Sequence, residues 1–69
     1  MTNYRSNIDD YDLLYVTETD LGLCVKRSED DPKFWLPKSQ VEYESKNYKK
    51  GDIVRVAMAE WLAQKHDLA

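Results

Sequence analysis

Apolar positions in this chain come in short alternating runs separated by polar clusters, a spacing that predicts strands joined by tight turns. Leu13, Leu14, Tyr15, Val16 and Thr17 are rich in β-formers and predict a first strand over 11–19, partly buried on both faces, with Glu18-Thr19-Asp20 turning the chain. Leu21, Leu23 and Val25 alternate with Gly22, Cys24 and Lys26, the period of two that puts one face of a second strand on a core. Ser28-Glu29-Asp30-Asp31-Pro32 is polar and ends in a residue that has no backbone donor, so it predicts a hairpin loop. Lys33-Phe34-Trp35-Leu36 follows as a short aromatic strand closed by Pro37.

After a short turn at 37–39, Val41 and Tyr43 alternate with Gln40, Glu42 and Glu44, which predicts a fourth strand. Asn47 to Asp52 is polar and contains Lys50-Gly51-Asp52, a turn signal before the β-branched fifth strand Ile53-Val54-Arg55-Val56. From Ala57 to Lys65 good helix formers dominate, and Met58, Trp61, Leu62 and Lys65 recur at helical spacing, with Leu68 extending the stripe. The expectation is a C-terminal helix that packs Met58, Trp61 and Leu62 on the sheet. The fold class is therefore α+β, mainly β: a small bent antiparallel sheet or a partly open SH3-like or OB-like barrel of about five strands with one C-terminal helix. Residues 1–10, polar apart from Tyr4 and Ile8, read as a flexible acidic N-terminal arm, and residues 11–69 as one small domain without internal repeat or linker.

Length then narrows the function. At 69 residues nearly every apolar side chain is committed to folding, which leaves few for a catalytic pocket. The single cysteine, Cys24, can form no internal disulfide, and with His66 the only imidazole no nitrogen and sulfur ligand set for a metal can be assembled. Neither residue has a partner in sequence that would activate it, so the expectation is no enzyme, no cofactor and no metal. No leader-like segment or membrane-length apolar run is present, and the lone thiol suits a reducing compartment, so the expected location is the cytoplasm, a host cell's if the gene is a phage's.

Charge is distributed unevenly. Residues 1–32 hold three Lys or Arg against eight Asp or Glu, whereas residues 33–69 hold seven against five. The acidic groups Asp9, Asp10 and Asp12, and Glu29, Asp30 and Asp31, form the candidate surface for a basic protein partner, with Tyr11 or Trp35 as aromatic anchor. Trp35 is exposed if Phe34 and Leu36 face the core, although the need of so small a domain to bury its large side chains favours the reverse. A different reading uses Trp35, Lys38, Tyr43, Lys49, Lys50 and Arg55, aromatics interleaved with cations, as the face of a single-stranded nucleic-acid-binding barrel. Monomer and homodimer both stay open, since strands that do not close leave edges to pair.

The segments Trp35-Leu36-Pro37-Lys38-Ser39-Gln40-Val41 and Glu60-Trp61-Leu62-Ala63 carry a resemblance over about residues 13–68. The chain resembles small phage and mobile-element proteins of uncharacterised function, which share a strand pair, a W-L/I-P-K-S segment and a closing E-W-L-A-x-K helix. That resemblance implies no catalytic residues. It implies a viral or plasmid setting, in which a small acidic protein serves as an inhibitor or adaptor that occludes a host or viral macromolecule.

Overall fold

A computed structural model describes residues 8–68. Five strands form in chain order: β1 Ile8–Glu18, β2 Gly22–Lys26, β3 Phe34–Pro37, β4 Val41–Tyr43 and β5 Ile53–Ala59, with a 3-10 turn, Lys38–Gln40, between β3 and β4 and a short helix, α1 Glu60–Lys65, after β5. They make one antiparallel sheet in the order β3-β2-β1-β5-β4. The first half of β1 pairs with β5, from Ile8 against Ala59 to Leu14 against Ile53, and its second half pairs with β2. Within the second half a bulge between Tyr15 and Thr17 breaks the register with β2, a device that bends a strand and increases its twist.

The bend lets one core serve the whole sheet. Leu36 from one end of the strand order and Val41 from the other are buried in the same cluster as Leu13, Leu23, Val54 and Val56. The edge strands β3 and β4 do not pair, so the sheet stays open and is not closed into a barrel by a ladder. The 3-10 turn carries the chain from one edge to the other, with the Val41 N–H donating to the Lys38 carbonyl. Pro37 is tolerated at the end of β3 because an edge strand has one side that needs no donor.

Two boundaries differ from the sequence expectation, and one cause explains both. The alternation of Val54 and Val56 continues through Met58, and all three are buried, so β5 runs to Ala59 and the helix begins only at Glu60. Ladder pairing across Ala57, Met58 and Ala59 outweighs the helix preference of the alanines, a tertiary override of a weak propensity. Met58 therefore belongs to the strand, and Trp61 is not packed on the sheet; the buried residues of α1 are Leu62 and Ala63. The lengthened β5 in turn pairs with Ile8, Asp9 and Asp10, which the sequence reading assigned to the arm. Residues 1–7 of that arm lie outside the described residues.

The helix ends in a left-handed turn. Asp67 has φ 60°, a conformation that aspartate accepts more readily than most residues. The Asp67 and Leu68 amides donate back to the Gln64 and Ala63 carbonyls at 3.0 and 2.8 Å, the double bond of a Schellman ending, and Leu68 packs on the core. Arg27 Nη1 donates to the Asp67 carbonyl at 2.7 Å and His66 stacks on Phe34 with ring centroids 4.5 Å apart, so the far end of α1 is tied to the β2–β3 hairpin.

Candidate functional site

The residues of the first acidic cluster do not share a face. Successive strand residues point to opposite sides, and burial of Val54, Val56 and Met58 marks the core side of β5. Asp10 and Asp12 lie opposite Ala57 and Arg55 on the outer side, whereas Asp9 lies opposite Met58 on the core side. Tyr11, offered by the sequence as an aromatic anchor, is opposite Val56 and half-buried against the core; alternation with Leu13 places it on the inner side. Its hydroxyl is pushed above the usual tyrosine value by desolvation, then by the charges of Asp9 and Glu60. Asp12 is engaged by Arg55, whose Nε lies 3.0 Å from Oδ1, and that hydrogen bond holds the carboxyl below its usual value.

The second cluster is largely neutralised by its own hairpin. Asp31 accepts from Ser28 Oγ at 2.8 Å and from Arg27 Nε at 3.2 Å, which lowers its pKa, and Glu29 lies 3.6 Å from Lys26 Nζ. Asp30 remains an exposed loop residue.

Trp35 is on the outer face, 48% exposed, contrary to the expectation of burial. Leu36 is buried and Phe34 packs on the core, so the residue between them must point the other way. The ring is not idle there. Trp35 stands directly opposite Cys24, and a Cβ placed on Gly22 would meet its Cε3 at 3.0 Å. Glycine is needed at position 22 for that close approach. Cys24, on the same side, is fully buried, and desolvation raises its thiol pKa against the opposing effect of Lys33.

The cationic and aromatic set proposed for nucleic acid is not assembled into one face. Lys38 and Tyr43 do meet, but around a carboxylate: Lys38 Nζ lies 3.4 Å from Glu18 Oε2 and the Tyr43 hydroxyl donates to Glu18 Oε1 at 3.3 Å. Tyr43 also tilts against Tyr48, which stacks on Tyr15 at 5.2 Å, a cluster packed against the core. Lys49 and Lys50 sit in the turn before β5, where Gly51 has φ 97° and the Lys49 amide donates to Asp52 Oδ2. Arg55 is across the sheet with Asp12, and Trp35 lies on the other arm of the sheet over Gly22.

A groove that the sequence reading missed lies at the edge of the sheet where β4 meets the end of β5. Its volume is about 480 Å³, open to solvent. The end of β5 from Ala57 to Ala59 lines it, with Ala57 and Ala59 on the outer side, together with Ile8, Trp61 and the corner from Ser39 to Glu42. Ile8 is 59% exposed and Trp61 57%. Asp10 and Glu42 both stand opposite Ala57, one from each neighbouring strand, so two carboxylates flank a methyl group. The continued alternation Val54-Val56-Met58 was the signal available in the sequence, since a strand reaching Ala59 puts Ala57 and Ala59 outside and leaves Trp61 on a helix too short to bury it. Among the described residues no group of three or more His, Cys, Asp or Glu could hold a metal, and no helix is long and apolar enough to cross a membrane. Comparison with known proteins gave no match: no family model, no curated protein and no solved structure is similar to this chain.

Proposed function

We propose that this chain is a non-catalytic protein-binding module that covers a basic surface of a partner macromolecule, as an inhibitor or adaptor of a phage or mobile element working in a host cytoplasm. One observation carries the reading: Ile8 and Trp61, two large apolar side chains left more than half exposed, border one open groove with Glu42, and Asp10 stands across Ala57 from Glu42. A domain of this size gains stability from every large side chain that it buries, so apolar surface left outside next to carboxylates that close no salt bridge among the described residues suits a contact with another macromolecule.

The chemistry of the remaining groups fits binding better than catalysis. Cys24 is buried and held as a thiol, and His66 is stacked on Phe34 with its pKa lowered by burial, so the two side chains best suited to nucleophilic or general-base work are both occupied in packing. A nucleic-acid ligand is disfavoured by the pairing of Lys38 and Arg55 with carboxylates.

The test is capture from host lysate by the immobilised chain at low and moderate salt, after nuclease treatment, with the bound material identified by mass spectrometry. A stoichiometric protein partner that survives nuclease and is lost from the Asp10→Lys/Glu42→Lys variant supports the reading. Nucleic acid alone, released as salt rises, overturns it.

A further inference from the structure

We propose that the outer groove receives a short extended segment of the partner that carries a lysine or arginine beside an apolar side chain, with the cation between Asp10 and Glu42 and the apolar group against Trp61 and Ile8. This rests on the protein-binding reading above and names what that site recognises.

The register makes the argument. Asp10, Ala57 and Glu42 form one row across β1, β5 and β4, all on the outer side. Adjacent strands lie about 4.8 Å apart, so the two acidic positions are about 10 Å apart with only a methyl group between them. Like charges flanking a small residue mutually repel, and a cation placed over Ala57 removes that repulsion and is held from both sides. Among the described residues no salt bridge closes on Asp10 or Glu42: Arg55, which feels the charge of Asp10, forms its ion pair with Asp12, and Lys38 forms its ion pair with Glu18. One residue along β5 in the same outward set, Ala59 pairs with Ile8. There the floor is again a methyl group, and the walls are Ile8 and Trp61. Acidic and apolar recognition are therefore adjacent along the groove, which fits a basic residue next to an apolar one and not an acidic or purely polar segment.

The probe is the peptide acetyl-Arg-Leu-Arg-Leu-Arg-amide, titrated at low salt into the isotopically labelled full chain and followed by amide and indole resonances. The expected result is saturable shifts centred on Glu42, Ala57, Ala59 and the Trp61 indole, with affinity at least about tenfold weaker for Ala57→Lys, a substitution that places the missing cation inside the groove. Ala57 is on the outer side of a strand, so that variant folds, which its unchanged thermal midpoint verifies. Trp35→Phe should bind the peptide as the wild type does. The proposal is overturned by absence of saturable shifts, by shifts centred on Trp35 or the 28–32 loop, by equal binding of the matching Glu-Leu peptide, or by Ala57→Lys binding within about twofold of wild type. Concentration-dependent broadening of the groove resonances without peptide would assign the groove to a second copy of the chain and likewise overturn it. A natural partner retained equally by Ala57→Lys refutes this site while leaving the protein-binding reading intact.

Discussion

Trp35 and Trp61 expose similar fractions of their surface, 48% and 57%, yet they stand on different ground. Beneath Trp35 lies a glycine that could hardly carry a methyl group and, directly across, a cysteine with no exposed surface. Beside Trp61 lie an open groove, the exposed Ile8 and the methyl of Ala59. The first ring is a lid for the outer face of β2, which makes that strand buried on both sides; the second borders a groove that no other described residue fills. Exposure alone does not distinguish a structural aromatic from a binding one. What the ring covers does.

The sharpest way to break this comparison is to remove each ring. Trp35→Ala should cost about 2–3 kcal/mol, below the 3–5 typical of a fully buried aromatic because half of the ring is already in water. In a domain of this size that is a large share of the total, and chemical denaturation should show it directly. It should also uncover Cys24, so that a thiol reagent labels the variant under conditions where the wild type reacts only on unfolding. A stability loss under about 1 kcal/mol with Cys24 still protected would refute the lid.

Gly22→Ala probes the same contact from the other side. The added methyl would lie 3.0 Å from the Trp35 ring, closer than ordinary packing, and should cost about 1 kcal/mol. In the Trp35→Ala background the cost should vanish, because the clash partner is gone; a double-mutant cycle that is additive would mean that the two residues do not touch in solution. Trp61→Ala, by contrast, should change stability by about 0.5 kcal/mol or less, as for a surface side chain, while weakening the peptide complex.

Why both tryptophans were expected inside and are found outside is itself physical. The strands and their turns were legible because alternation and Pro or Gly punctuation are local: Leu23 and Val25, the Ser28–Pro32 loop and the turn before Val41 stand where the pattern puts them. Trp35 was harder, since Phe34-Trp35-Leu36 alternates equally well in either phase and only burial of Leu36 decides it. For Trp61 the difficulty was competition. Ala57 to Ala63 is good helix sequence, and the ladder with Ile8 to Asp10 that turns its first three residues into strand is a long-range contact with no local trace. The acidic clusters were visible as composition, but their pairing with Arg55 and Arg27 and the alternation that separates Asp9 from Asp10 are properties of the folded sheet.

The smallest expected effect concerns the helix that carries Trp61. Its far end is held by His66 on Phe34 and by Arg27 on the Asp67 carbonyl. Burial lowers the His66 pKa below its ordinary value near 6.5, aided by Lys65 and opposed by Asp67, with Arg27 and Asp31 facing the same pocket from the hairpin. The unfolded chain therefore binds this proton more readily than the folded one, so the contribution is fully present above about pH 6.5 and is lost as pH falls below it. Asp12 and Asp31, held below their usual 3.8, contribute stability that disappears only at lower pH, which leaves the interval between about pH 7 and 5 to His66. The thermal midpoint should fall slightly across that interval in the wild type and stay level in His66→Phe, which keeps a ring on Phe34 without the proton. With single-tryptophan variants the same titration sharpens the comparison: emission from Trp61 should respond as the helix end loosens, and emission from Trp35, on the opposite side of β3 from Phe34, should not. Equal responses from both rings would mean that the acid transition loosens the sheet as a whole and not the helix alone.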